Sequence, residues 1–371
     1  MALQTLNFLT FAVTAGAITL SVTRAGGNAT SPYMYGLTLD GLNSIDGLFT
    51  PSPTNELRPD LLDKLKALNP SFLRLPVARY SSSESANRSN LLKYIDLATT
   101  LSTPVILPLP PAGSSPRHAV QDSLNELEFL TGDVSEPFGA LREELGYSVP
   151  WKIPFVEILG GMDARLEQQL CEAVRERYPD VGAFSSSKME GAGRVVQEYG
   201  TPDELVRAFG DFDHSRGPIW VAGYAAVQEN TSMDQNSPTI PYPTWLGAVA
   251  EAIFLLGAER NSDRVWGTSY APLFQNFNNS NQIPALITYT TNPPSTTGST
   301  SHRIIQLLSS ARLTHSLPTL SSSPPNPAYW LAGRDSASYI LKLATYTSSP
   351  STTIYFTTGR GRTTRPEKRM W

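Results

Sequence analysis

Few residues of this chain combine a reactive side chain with a place at the end of a predicted strand, where an α/β protein puts its chemistry. Glu157, in the apolar run Phe155-Val156-Glu157-Ile158-Leu159, carries a carboxylate that could move a proton or attack a carbon. An acidic residue two positions into a strand is, however, more often a structural hydrogen-bond partner. Asp163 follows the same run and reads as the N-cap of the next helix. Glu198, just before Thr201-Pro202-Asp203-Glu204, is the best-placed further acid, weighed against a solvated loop residue. Glu229 sits in a loop bearing an N-x-S/T pattern and reads as surface. The histidines, His118, His214, His302 and His315, are far apart and form no metal-ligand spacing. Cys171 falls beside the apolar stripe of a helix and reads as a small buried hydrophobe. The run at 155–159 itself ends on Gly160, Gly161 and Met162, none of which can move a proton.

The elements that must position these residues alternate. Apolar runs predict strands at 35–39, 71–76, 104–108, 155–158, 181–185, 219–223 and 264–270. Helical spacing or start signals predict helices at 59–68, 91–101, 123–130, 164–178, from Thr201 and at 244–256. Ser123 with Glu126 reads as a capping box for the third of these, and Thr201 with Pro202 and Glu204 as another. Strand and helix alternating about eight times predicts a (β/α)8 barrel. No glycine-rich phosphate loop follows any strand, which argues against an open nucleotide-binding sheet.

Either side of this region the pattern changes. Residues 18–22 alternate as a strand. Residues 294–326 are rich in Ser, Thr and Pro and read as a boundary with a helical piece at 303–308. Beyond it, 329–331, 339–342 and 353–356 read as strands of a small sheet. The organisation expected is a signal peptide at 1–17, a strand at 18–32 lent to the β-domain, a barrel at 33–293, a linker and partial β-sandwich at 294–358, and a disordered basic tail at 359–371. The fold class is α/β: a (β/α)8 TIM barrel with a small, truncated C-terminal β-sandwich joined by the N-terminal strand.

A net charge of −4 with 17% charged residues over 371 positions leaves no basic footprint for nucleic acid. The short apolar run before Ala15-Gly16-Ala17 fits an export signal and is too short to span a bilayer. Sequons at Asn28, Asn87, Asn230 and Asn278 fit a secreted glycoprotein.

A further set of residues carries a family resemblance: Gly27-Asn28-Ala29-Thr30-Ser31-Pro32-Tyr33, Asn69-Pro70-Ser71-Phe72-Leu73-Arg74, Glu128-Phe129-Leu130-Thr131-Gly132-Asp133, Thr201-Pro202-Asp203-Glu204, Ala250-Glu251-Ala252-Ile253-Phe254-Leu255, Glu259-Arg260-Asn261 and Ser269-Tyr270-Ala271-Pro272-Leu273. From about Ile18 to Phe356 the chain resembles the fungal α-L-arabinofuranosidases of glycoside hydrolase family 51. The resemblance implies a secreted barrel-plus-sandwich protein, without cofactor or metal, acting on arabinose-containing plant cell-wall polysaccharide. It implies retaining hydrolysis by two glutamates standing about 5 Å apart.

Measured against that resemblance, the chain departs from the family pattern at the carboxyl ends of its strands. Gly161 stands at the family position of the acid/base and Gly223 at that of the nucleophile. Val77-Ala78-Arg79-Tyr80 replaces a sugar-contacting motif, and Val195-Val196-Gln197 replaces a D-x-H motif. Asp40 keeps an acidic residue after the first barrel strand. Asp40, Arg74 and Tyr270 are the expected substrate-binding residues. Trp220 and Tyr224 flank Gly223; Trp220 reads as core, and Tyr224 as core or as a sugar-stacking ring. Three readings follow: an inactive or severely impaired relative, which could persist as a non-catalytic polysaccharide-binding protein; a working glycosidase with relocated carboxylates such as Asp40 and Glu198; or a damaged record of an active gene.

Overall fold

A computed structural model describes residues 18–23, 26–39, 49, 58–77, 84–110, 114–214, 217–230, 239–278, 283–291, 294–346 and 354–357, those of 84–90 and 354–357 by backbone alone. The expected leader, the tail and Asp40 lie outside the described residues.

The chain enters through β1 (Ile18–Val22) and β2 (Asn28–Ala29) and then builds eight parallel strands: β3 (Tyr33–Thr38), β4 (Leu73–Arg74), β5 (Val105–Leu109), β6 (Phe155–Ile158), β7 (Gly182–Ser185), β8 (Gly193–Gly200), β9 (Ile219–Ala226) and β10 (Val265–Tyr270). They close in that order, with β10 returning to β3. Strands covered on both faces read as unbroken apolar runs, and β9, Ile219-Trp220-Val221-Ala222-Gly223-Tyr224-Ala225-Ala226, is buried at every position.

β8 was not among the predicted strands, for a physical reason. The link from β7 to β8, residues 186–192, holds no helix. The outer face of β8 is therefore partly wetted and accommodates Arg194 and Glu198, while Gln197 alternates to the inner face with Val195 and Tyr199, so no apolar run betrays the strand.

The expected capping box at Ser123 is also corrected. The helix begins one turn earlier and spans Ala119–Thr131, so Ser123 lies inside it, and its hydroxyl donates to the Ala119 carbonyl at 2.6 Å. The box at Thr201 is present: Thr201 Oγ1 accepts from the Glu204 N–H, and Glu204 Oε2 accepts from the Thr201 N–H at 2.8 Å.

Beyond the barrel, β11 (Phe274–Asn276), β12 (Ile287–Thr291) and β13 (Pro294–Gly298) form a small sheet. Residues 294–326, read from composition as a boundary, hold β13, a helix Thr300–Ser310 capped by Ser299, and the short strands β14 (His315–Ser316) and β15 (Thr319–Ser321). Ser and Thr here satisfy caps and turns, which composition alone cannot separate from a linker. β16 (Ala328–Arg334), β17 (Tyr339–Thr345) and β18 (Ile354–Thr357) complete two facing sheets, β15-β1-β18 and β17-β16-β14-β2. Ile18 and Leu20 from one sheet pack on Ala328 and Trp330 of the other, so the N-terminal strand completes the sandwich.

The helix Trp245–Arg260 lies between barrel and sandwich and is accordingly apolar nearly all round. Near its end, Glu259 receives Lys342 Nζ of β17 at 2.6 Å and the Tyr35 hydroxyl of β3 at 2.7 Å. Lys342 also donates to the Leu308 carbonyl at 3.2 Å. This buried cluster ties the sandwich to the barrel.

Candidate active site at the barrel mouth

The amino-terminal half of the barrel interior is a solid plug. Phe72, Ile106, Phe184, Val195, Trp220 and Ala222 form its buried cluster, with Tyr33, Phe155 and Trp266 against it. Tyr33 and Trp266 stack at 4.6 Å, and Phe184 meets Trp220 edge-on at 5.8 Å. Trp220 is fully buried, as its core reading required. Such a floor leaves only the carboxyl ends of the strands for chemistry.

Above this plug sit Arg74, ending β4, and Glu157 of β6. Arg74 Nε donates to Glu157 Oε2 at 2.7 Å, and its terminal nitrogen lies 2.6 Å from the same oxygen. The guanidinium also lies 6.0 Å from the Trp220 ring centre. Glu157 is 5% exposed, so this is an ion pair fixed in the wall and a structural use of the carboxylate.

Gly223 lies on β9 opposite Gln197 of β8. A side chain there would point straight at Tyr199, because a Cβ would come within 2.0 Å of the Tyr199 hydroxyl. Tyr199 thus occupies the volume beside the glycine. Gly161 differs: nothing lies within 4 Å of its would-be Cβ, but its φ of +96° favours glycine. At Gly160 a Cβ would meet the Ser186 hydroxyl at 2.7 Å.

The other acids are committed elsewhere. Asp163 caps the helix Ala164–Arg177 by accepting from the Arg165 N–H at 2.8 Å, as its position predicted. Glu198 is on a strand rather than a loop, and alternation puts it on the opposite face from Tyr199. Burial raises its pKa, with a further rise from Asp211 on the neighbouring 3-10 turn, so it faces the helical layer rather than the mouth. Glu229 is exposed, as read from the sequence.

Tyr270 requires a correction. It is fully buried, its ring lies 5.2 Å from Tyr224, and its hydroxyl donates to Glu251 Oε1 at 3.2 Å. Both tyrosines face the helix Trp245–Arg260 and neither can touch a sugar, so Tyr224 is core. The alternation that decides this is set by β-bulges in β9 and β10.

Two residues escaped the sequence reading. Tyr199 carried only the weak signal of an aromatic next to a helix cap. Glu251, a single acid in an apolar helix, was visible as an anomaly: it accepts from the Ala226 N–H at 3.0 Å, and its other oxygen, beside Ser301, makes no hydrogen bond of good geometry. Burial pushes its carboxyl up to about 7. Among the described residues, no group of three His, Cys, Asp or Glu is placed to hold a metal ion, and no helix is long and apolar enough to cross a membrane. Cys171 is buried and its thiol pushed up by burial.

Two family models match this architecture: the α-L-arabinofuranosidase 1 domain over residues 80–217 and the α-L-arabinofuranosidase C-terminal domain over residues 223–357. The chain belongs to the α-L-arabinofuranosidase family. Within that family it is 36% identical over 246 residues to a probable α-L-arabinofuranosidase A of Aspergillus terreus, which is 61% of this chain and 37% of that protein. A probable α-L-arabinofuranosidase A of Aspergillus oryzae is 34% identical over 256 residues, or 64% of this chain and 39% of that one. The chain therefore spans under two fifths of the length of these curated relatives. Among solved structures, AbfB, a family 51 α-L-arabinofuranosidase from Bifidobacterium longum, superposes with a TM-score of 0.76 at 13% identity, covering 93% of this chain and 88% of that chain. An arabinose-bound family 51 α-L-arabinofuranosidase gives 0.70 at 22% identity, covering 83% and 58%.

Proposed function

We propose that this chain is a secreted α-L-arabinofuranosidase-family protein directed at arabinose-containing plant-wall polysaccharide, with retaining hydrolysis lost or severely impaired. The reading assigns Gly161 and Gly223 to the places of the acid/base and the nucleophile. A retaining mechanism needs two carboxylates facing each other across the anomeric carbon. The observation that carries the proposal is the Tyr199 hydroxyl beside Gly223, filling the space a nucleophile would need. The described acids nearby support it: Glu157 is held by Arg74, Asp163 caps a helix, and Glu198 faces the other way. Arg74 keeps a role in shaping the pocket floor through Glu157. Asp40 remains a proposed sugar contact.

Arabinose release from an aryl arabinofuranoside by the purified protein tests this. The expected result is silence in the parent. Release by the parent that survives removal of Tyr199 and disappears with Asp40→Asn would overturn the proposal in favour of relocated carboxylates.

A further inference from the structure

Asn28 and Asn230 each open an N-x-S/T triplet, and the fold holds their side-chain amides in different ways. Asn28 lies exposed on β2, the edge strand of its sheet. Its Nδ2 donates one hydrogen to Asp263 Oδ1 at 2.8 Å, and the second hydrogen has no partner among the described residues. A sugar joined at that nitrogen replaces the free hydrogen and leaves the bond to Asp263 in place. Asn230 has no hydrogen to give up. Its Nδ2 donates to Asp203 Oδ1 and to the Tyr346 hydroxyl, each at 3.0 Å, and its Oδ1 accepts from the Asp203 N–H at 2.9 Å. These bonds tie the segment after β9 to the start of the Pro202–Arg207 helix and to Tyr346, just beyond β17. The fold by itself accounts for an asparagine at 230.

The same is not true of the triplet at 28. Thr30 Oγ1 is buried and makes no hydrogen bond among the described residues. A buried hydroxyl without a partner destabilises the folded state, and a valine of the same shape would not. The folded protein has no use for this hydroxyl, whereas an N-x-S/T acceptor triplet requires it. The surface beside Asn28 is also shaped for an attached group. A half-open hollow of about 220 Å³, lined by Asn28, Arg260, Ser316, Leu317 and Thr319, adjoins the side chain. The strand beneath is fixed, since the Thr30 N–H donates to the Thr314 carbonyl at 2.9 Å and the Ser262 hydroxyl to the Ala29 carbonyl at 3.0 Å.

We infer that Asn28 carries an N-linked glycan whose innermost N-acetylglucosamine covers this hollow, while Asn230 stays bare. The inference rests on the proposed secretion of the chain. In the transfer, Asn28 Nδ2 attacks the anomeric carbon of an oligosaccharide carried on a lipid pyrophosphate. The N–C bond forms, the bond from that carbon to the pyrophosphate oxygen breaks, the lipid pyrophosphate leaves with the electron pair, and Nδ2 gives up one proton. Expression of the full chain in a yeast tests this, with peptide mass spectrometry after an endoglycosidase that leaves one N-acetylglucosamine on each used asparagine. The secreted protein should carry that tag on Asn28 in most molecules and on Asn230 in none. Thr30→Val should lose the tag at Asn28. Made in a bacterium, where neither asparagine is modified, Thr30→Val should melt at or above the parent's temperature, and Asn230→Ala, stripped of three hydrogen bonds, below it. Secreted protein with Asn28 bare would overturn the inference and leave secretion standing. Protein retained in the cell with Asn28 bare would overturn both. A tag on Asn230 in as many molecules as on Asn28 would also overturn it.

Discussion

Position 223 can accept a side chain only if Tyr199 turns away, and Tyr199, exposed and attached by a rotatable side chain, can do so. Gly223→Glu combined with Gly161→Glu and Tyr199→Ala should therefore release arabinose above the parent's background, and more than the two glutamates without Tyr199→Ala. Recovery should stay small, because position 161 at φ +96° costs a glutamate about 1–2 kcal/mol of backbone strain. Glu251 gives a second prediction. Its folded pKa, about 7, lies above the ordinary 4.5, so between those values the folded state holds a proton that the unfolded state has lost. Its stabilising contribution is full below about 4.5 and is lost as pH rises through about 7. Thermal melts over that window should fall with pH in the parent, and the fall should flatten in Glu251→Gln. An unchanged slope in the variant would show that other groups set it. The groups facing this carboxyl are Tyr224 of β9, Tyr270 of β10, the Ala226 N–H and Ser301.

Among the elements, the helix from Pro202 to Arg207 is short and depends on its start. Thr201→Ala removes the acceptor for the Glu204 N–H and should cost about 1 kcal/mol in denaturant melts. A loss within error would mean that packing of Leu205 and Val206 suffices. This cap was legible in the sequence because Thr, Pro and Glu stand at the spacing its hydrogen bonds demand. The cap inferred at Ser123 used the same residue logic and failed, since a serine one turn into a buried helix satisfies itself on the preceding carbonyl. β8 was illegible because no helix lies in the link that precedes it, and a strand whose outer face is only partly covered need not be apolar.

For the whole molecule, the joint between barrel and sandwich is a charge pair withdrawn from water. Lys342 is 5% and Glu259 1% exposed, so Lys342→Ala leaves a buried carboxylate without its cation and should cost roughly 3–5 kcal/mol. Lys342→Met with Glu259→Gln should cost markedly less, because no charge is stranded. Equal losses in the two proteins, measured by chemical denaturation, would show that packing rather than charge governs the joint.

The amino-acid order alone determined the barrel and the absence of a carboxylate at 161 and 223, because burial pattern and residue identity are local properties; the sandwich fed by both ends of the chain was implied by the family resemblance, and the pairing of β1 with β15 and β18 realises it. It placed Arg74 at the end of its strand and Asp163 at its cap. Only the tertiary structure decided that Tyr270 is walled in against Glu251, that Glu198 faces the helices and that Tyr199 fills the space beside Gly223. Those outcomes depend on strand alternation across bulges and on which strand lies alongside which, and neither is written in the spacing of a single segment.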